Sequence, residues 1–245
     1  MRNDNKKITG TLYGVGIGPG DPKLLTIRAK EILNKVDMIF VPKAKDDARS
    51  CARMIVEAAT SKSKNFAELT FPMTNDMKKL KSHWLAAAGR IVRELKRGRS
   101  AAFVTIGDPF IYSTYIYLLG MLRKHFPEIA VETIPGITAF NAASAAGGLA
   151  LVKRNERMAV VPVTKGLKYV REALRKYDTV VLMKVGSKLG NVLKLLKKMR
   201  LIKNGVLVSH VGQVSESIVR DLSSLKDKRS GYLSVIIVKR KMDSV

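Results

Sequence analysis

The chain has 245 residues, 46% of them hydrophobic and 27% charged, enough for one large or two modest globular domains with real cores, and no run is apolar for long enough to span a bilayer. Its 45 Lys and Arg against 20 Asp and Glu give a net charge of +25, so a polyanionic partner has to be weighed. A single cysteine, Cys51, excludes an internal disulfide, and His83, His125 and His210 are too scattered to read as metal ligands, so no metal site is expected. The opening Met-Arg-Asn-Asp-Asn-Lys-Lys leads into no apolar segment, and the expectation is a cytoplasmic protein without a membrane partner.

Nucleic acid is the default partner for such a charge. Against it, the basic residues are spread along predicted helices, and aromatics are only 6%, too few for stacking platforms. Solvated surface charge, or a small substrate with many carboxylates, accounts for the balance equally well.

Residues 10–16 read as an apolar strand that runs into Gly14, Gly16, Gly18 and Gly20, with Pro19 and an Asp21-Pro22 pair. Glycine permits positive φ or close approach of backbone to a ligand, and Asp followed by Pro is a helix start. The spacing fails the dinucleotide fingerprint G-x-G-x-x-G from either Gly14 or Gly16, although Asp37 stands where a ribose-binding acid would. A turn that only packs a helix onto a sheet is the simpler alternative.

From Pro22 to Val36 the period is helical, with Leu25, Ala29, Ile32, Leu33 and Val36 inward. Residues 37–41 form a second strand and 42–47 a lysine-bearing loop; residues 48–59 are helical, with Met54, Ile55 and Ala58 inward. A short strand at 66–70 precedes a long helix at 75–97 carrying Leu80, Trp84, Ala87, Ala88, Ile91, Val92 and Leu95 on one face. The wholly apolar strand 101–106 ends in Gly107-Asp108-Pro109, and ligands of open parallel sheets bind beyond such strand ends. Asp108 is either a ligand acceptor or the cap of a helix over 110–125. Another strand at 129–133 runs into Ile134-Pro135-Gly136-Ile137-Thr138-Ala139 and a small-residue helix.

The glycine pair at Gly147-Gly148 followed by Lys153-Arg154 places a domain boundary between 148 and 149. The alternation then restarts: strands at 157–163, 179–185 and 205–210, helices at 166–176 and 189–199. Two closing runs, 217–222 and 232–238, have no helix between them. The expected fold is therefore α/β in two domains, 1–148 with a parallel sheet and 149–245 with a mixed one.

Taken together, Tyr13-Gly-Val-Gly-Ile-Gly-Pro-Gly-Asp-Pro, Thr105-Ile-Gly-Asp-Pro-Phe-Ile-Tyr-Ser-Thr and Ile134-Pro-Gly-Ile-Thr-Ala-Phe, in that order, resemble the tetrapyrrole methylase family over nearly the whole chain. Phe40-Val-Pro-Lys with Ser50, Phe71-Pro-Met-Thr-Asn-Asp leading to Trp84, and Gly107 to Leu118 resemble its precorrin-2 or cobalt-factor II C(20)-methyltransferase branch, in cobalamin synthesis. The resemblance implies S-adenosylmethionine as cofactor, S-adenosylhomocysteine as product, an active site in a cleft between the domains, and a homodimer. It implies cofactor contacts at Pro19, Ile106, Gly107, Asp108, Ile111, Thr138 and Ala139, with Met183 and Gly212 from the second domain. After Gly212 the text is Gln-Val-Ser-Glu-Ser-Ile, where family members often carry a proline and a Glu-Arg pair.

A sulfonium methyl is already activated, so transfer to an electron-rich carbon needs positioning and exclusion of water more than a nucleophilic side chain. Tyr112, Asp108 and Glu216 stand open as general bases, and no catalytic residue is assigned. Lys43, Lys45 and Arg49, on the loop after the second strand, with Tyr112, are the candidates for the polycarboxylate substrate. Competing functions are ribosomal RNA methylation on the same fold, methylation of a protein in diphthamide synthesis, and a non-enzymatic basic RNA-binding module; the resemblance of the Phe40 to Trp84 region to the corrin branch weighs against the first two, and the last leaves the glycine turns unexplained, so nucleic acid is the less favoured partner.

Overall fold

A computed structural model describes residues 9–43, 50–60, 64–72, 74, 76–164, 166–225 and 233–241. The chain divides into two compact units, 1–138 and 139–245. The division falls ten residues before the expected boundary at 148/149, because the helix after Thr138 packs on strands of the second sheet.

The first unit alternates strand and helix: β1 (Leu12–Gly16), α1 (Ile27–Lys35), β2 (Met38–Lys43), α2 (Cys51–Ala59), β3 (Phe66–Thr70), α3 (Met77–Leu95), β4 (Ala101–Thr105), α4 (Tyr115–His125) and β5 (Val131–Ile134). All four strand pairings are parallel, in the order β3-β2-β4-β1-β5. Because successive strand side chains face opposite ways, the sheet feeds two cores. Leu12, Phe40, Leu69 and Phe103 pack with Trp84, Ile91 and Leu118 of α3 and α4 on one face. Val15, Ile39, Val41 and Val104 pack with Ile32, Leu33, Ile55 and Val56 of α1 and α2 on the other. The parallel arrangement brings the carboxyl ends of β4, β1 and β5 side by side, and β1 lies between the other two.

Three helices depart from the sequence reading. Asp21 caps only a 3-10 turn at Pro22–Leu24, its carboxylate accepting from Lys23 N at 2.8 Å. Leu25 and Thr26 are extended, and α1 starts at Ile27 because the Thr26 hydroxyl accepts from Ala29 N at 3.1 Å. In α2 the buried residues are Ala52, Ile55 and Val56, while Met54 is 44% exposed and Ala58 is exposed as well. The helix expected over 110–125 begins at Tyr115, since the residues after β4 form a pinned loop.

In the second unit, α5 (Ala139–Gly147) packs on a mixed sheet. Its strands are β6 (Met158–Pro162), β7 (Thr179–Met183), β8 (Gly205–Ser209), β9 (Ser217–Val219) and β10 (Ser234–Lys239), with α6 (Lys168–Lys176) and α7 (Leu189–Lys198) between the earlier ones. The order is β6-β7-β10-β8-β9: β6 and β7 run parallel, β10 lies antiparallel between β7 and β8, and β9 is antiparallel to β8. The carboxyl ends of β6, β7 and β8 therefore share one edge of that sheet. At the opposite edge, beside the start of β7, the buried Lys239 ties down the segment before β6: its ammonium donates to Ala150 O at 2.9 Å and meets Glu156 at 3.3 Å.

Candidate active site

The turns after β1, β4 and β5 touch through bare backbone. Gly107 N donates to Gly18 O at 2.7 Å, and Ile17 N donates to Thr105 O at 3.0 Å, so the first turn continues the pairing of β1 with β4 past the sheet. A Cβ placed on Gly16 would lie 2.7 Å from Gly107 O and from Gly136 N; one on Gly136 would lie 2.3 Å from Gly107 O. No side chain larger than hydrogen fits at either position without separating the turns. Gly18 (φ 71°) and Gly107 (φ 77°) also hold left-handed backbone.

Asp108 ties the second turn to the third. One carboxylate oxygen accepts from Phe110 N at 2.9 Å and the other from Gly136 N at 3.1 Å. The carboxylate thus closes its own loop and fixes the turn after β5, and it does not cap α4, which begins only at Tyr115. A buried polar chain holds the loop from below. Thr105 and Ser113 hydroxyls lie 2.9 Å apart, Ser113 Oγ accepts from Tyr115 N at 3.0 Å, and Tyr115 Oη lies 2.6 Å from Thr133 Oγ1. The fully buried Tyr115 ring occupies the space beside Gly14, where a Cβ would approach it to 2.1 Å. Burial pushes the Tyr115 phenol above its ordinary value, opposed in part by the Thr133 hydrogen bond and the Arg123 charge.

On this anchored loop Phe110, Ile111 and Tyr112 stay 53%, 36% and 38% exposed. Tyr112 takes φ 52°, a left-handed conformation costing a non-glycine residue about 1–3 kcal/mol. Three large apolar side chains presented to solvent on a strained, hydrogen-bonded loop form a surface suited to a planar or apolar ligand. Burial raises the Tyr112 phenol above its ordinary value as well.

The first unit thus gathers Pro19, Ile106, Gly107, Asp108, Ile111, Tyr112 and Thr138 on adjacent turns at the carboxyl ends of three neighbouring strands. Pro19 and Gly107 are buried, and Ile106 packs against the core under the sheet. Ala139 is the first residue of α5, in the second unit. There Met183 ends β7 and Gly212 (φ 75°) follows β8, at the same sheet edge. Lys184 (φ 54°) and His210 (φ 50°) at those ends are left-handed too. Gly212 N donates to Glu216 at 2.7 Å, so the Glu216 carboxylate, like that of Asp108, closes a loop.

Lys43, at the end of β2, holds Glu68 of β3 at 2.9 Å, and Ser50 Oγ donates to Pro42 O at 3.1 Å, tying together the two ends of the intervening loop. Lys45 and Arg49 lie outside the described residues. Among the described residues no three His, Cys, Asp or Glu side chains gather as a metal site, and no helix is long and apolar enough to cross a membrane. Sequence reading passed over Tyr115, Ser113 and Thr105 as site residues. Tyr115 has only the indirect signal of a glycine, Gly14, on a neighbouring strand.

The fold and these turns define the class: a two-unit α/β protein whose candidate site is built from glycine turns at parallel strand ends. The chain belongs to the Tetrapyrrole (Corrin/Porphyrin) Methylases, whose profile matches residues 11–225. It is 36% identical over 242 residues, 96% of this chain and 98% of the other, to the probable cobalt-precorrin-2 C(20)-methyltransferase of Methanocaldococcus jannaschii. It is 30% identical over 237 residues, 94% and 95% of the two chains, to the precorrin-2 C(20)-methyltransferase of a Sinorhizobium species. Among solved structures, a cobalt precorrin-4 methyltransferase superposes with a TM-score of 0.71 at 20% identity, covering 94% of each chain. The uroporphyrin-III C-methyltransferase of Thermus thermophilus with S-adenosylhomocysteine gives 0.66 at 19%, covering 94% of this chain and 98% of that one.

Proposed function

We propose that this protein is an S-adenosylmethionine-dependent methyltransferase that methylates C(20) of precorrin-2 or its cobalt-bearing counterpart in cobalamin biosynthesis. The observation that carries the reading is the 36% identity, over 96% of the chain, to the probable cobalt-precorrin-2 C(20)-methyltransferase of Methanocaldococcus jannaschii. The three touching turns support it physically.

The residues present fit the cofactor. Asp108 and the backbone of Gly107 and Gly136 make a rigid polar rim, and Ile111 with Tyr112 gives apolar surface that an adenosine would cover. Pro19, Ile106, Gly107, Asp108, Ile111, Thr138 and Ala139 are assigned to hold it, with Met183 and Gly212. Bound, S-adenosylmethionine supplies a methyl on a sulfonium centre, an electrophile that needs no enzymic nucleophile.

What the chain contributes is orientation and dryness. A loop pinned by Asp108, Ser113 and Tyr115 cannot drift by the ångström that in-line transfer does not tolerate. Asp108 and Glu216 each accept hydrogen bonds within their own loops, and no residue is assigned as the base for the proton shed by the methylated carbon. Tyr112 offers a phenol to a substrate carboxylate, joined by Lys43, Lys45 and Arg49. Lys43 then exchanges or shares its Glu68 partner.

The reading brings with it a homodimer and a cytoplasmic location, the first measurable by light scattering on the eluted protein. The activity test uses purified protein with S-adenosylmethionine and, in parallel, metal-free precorrin-2 and cobalt-factor II. Methyl transfer to one of them is expected; transfer to neither, with methylation of ribosomal RNA instead, overturns the reading.

A further inference from the structure

The basic residues are shared almost evenly between the two units, 23 in 1–138 and 22 in 139–245, but one stretch of the second unit is strongly basic. Residues 168–203 contain eleven Lys and Arg against two acids, Glu172 and Asp178, and Asp178 already accepts from Arg157 N at 2.9 Å. On α6, Val170, Ala173 and Leu174 face the core, which leaves Arg171 and Arg175 exposed one helical turn apart. On α7, Leu189, Val192, Leu195 and Leu196 face the core and Lys198 is exposed in its last turn.

These side chains meet around a pocket of about 390 Å³, lined by Arg171, Arg175, Lys198, Leu195 and Met199. The volume falls in the range of small-molecule sites, roughly 300–1,000 Å³. Its wall is three cations and no acid, and among the described residues none of the three is ion-paired. Favourable interaction with the helix dipoles accounts for a cation in each last turn. It does not account for Arg171, in the first half of α6, or for convergence of all three on one cavity. The pocket includes none of the residues assigned to cofactor or substrate.

We propose that the α6–α7 pocket is a second ligand site, for a small anion carrying two or more phosphoryl groups. Two guanidinium forks at i and i+4 bind phosphoryl oxygens bidentately, the Lys198 ammonium neutralises a further charge, and Leu195 with Met199 supplies an apolar wall for an organic substituent. A multivalent anion suits the pocket better than a monovalent one, because three uncompensated cations repel one another until each has a partner. The cavity is sized for a small ligand rather than a polymer backbone.

The test is calorimetric titration of the full-length protein with inorganic pyrophosphate at about 0.15 M salt, where exposed charges beyond about 8 Å are screened. Saturable binding at one site is expected, weakened at least about tenfold, the equivalent of about 1.4 kcal/mol, in Arg171→Gln/Arg175→Gln. Arg123→Gln/Lys124→Gln on α4 removes the same net charge elsewhere and is expected to bind as wild type. ATP in place of pyrophosphate is expected to bind at least as tightly through the apolar wall. The first pair of substitutions, on an exposed helix face, is expected to leave the melting temperature and methyl transfer unchanged. Absence of pyrophosphate binding up to 1 mM (about −4.1 kcal/mol), equal weakening in both double variants, or binding of duplex RNA without pyrophosphate binding overturns the proposal.

Discussion

Gly136→Ala is the sharpest perturbation of the turn cluster. The φ of Gly136 lies outside the left-handed region, so alanine carries no backbone strain there and its whole cost is contact. The new Cβ would stand 2.3 Å from Gly107 O and 2.8–2.9 Å from Gly16 C and Cα, all backbone atoms that cannot rotate away. Ordinary contact begins near 3.4 Å, so the third turn must retreat by about 1 Å from the other two. That displacement stretches the 3.1 Å bond from Gly136 N to Asp108 past useful length and strains the 2.7 Å bond from Gly107 N to Gly18 O. Overpacking costs about 1–3 kcal/mol, and weakening one or two hydrogen bonds adds about 1 kcal/mol each, giving a total on the order of 2–5 kcal/mol. Differential scanning fluorimetry should show a fall in melting temperature of roughly 4–20 °C at about 2–4 °C per kcal/mol. Calorimetry should show S-adenosylhomocysteine bound at least about tenfold more weakly. Gly120→Ala in α4 is the internal control: nothing lies within 4 Å of its Cβ, and alanine in a helix should raise stability by about 0.5–1 kcal/mol. A Gly136→Ala protein that melts within 1 °C of wild type (about 0.5 kcal/mol or less) and keeps its affinity would refute the contact geometry.

Asp108→Asn keeps the shape of the side chain but turns one acceptor into a donor facing either Phe110 N or Gly136 N, so S-adenosylhomocysteine affinity should drop by tenfold or more while circular dichroism stays native. Unchanged affinity would mean the tie between the turns is dispensable. Tyr115→Phe removes the bond to Thr133 and should cost about 1 kcal/mol at neutral pH. Because burial raises the Tyr115 phenol above its ordinary 10.0, its contribution is complete below pH 10 and is lost as pH rises through the higher folded value. The stability gap between wild type and Tyr115→Phe should therefore narrow in urea melts above pH 10; a constant gap would show that the phenol titrates alike folded and unfolded.

Much of the fold was legible because its signals are local. Alternating apolar runs and helical stripes marked most of the strands and helices, and the closing pair of runs without a helix foretold the antiparallel part of the second sheet. The misses come from interactions that sequence spacing does not encode. Thr26 stops the helix at its own hydroxyl bond, so the Asp21-Pro22 signal marks a 3-10 turn instead of the helix start. α4 begins late because Asp108, Ser113 and a left-handed Tyr112 shape the loop before it, and two of those bonds reach residues more than seven positions away. The turn residues themselves were identifiable as motifs, but that Gly14 exists to admit the Tyr115 ring depends on β1, β5 and α4 meeting in space. The residues resembling the corrin branch have a structural reading as well. Phe40, Phe71, Trp84 and Tyr115 share one core, with Phe71 edge-on to Phe103 at 6.1 Å and Trp84 stacked on Tyr117 at 4.4 Å. The charge was legible as a total and as a basic run over 168–203; that Arg171, Arg175 and Lys198 line one cavity required the helices to be packed.

The central claim is the position of the transferred methyl. With S-adenosylmethionine carrying a carbon-13 methyl, the product from precorrin-2 or cobalt-factor II should show one new methyl resonance, correlated by NMR to C(20) of the macrocycle. A methyl at any other ring position, or label found only in RNA or protein, would contradict the account.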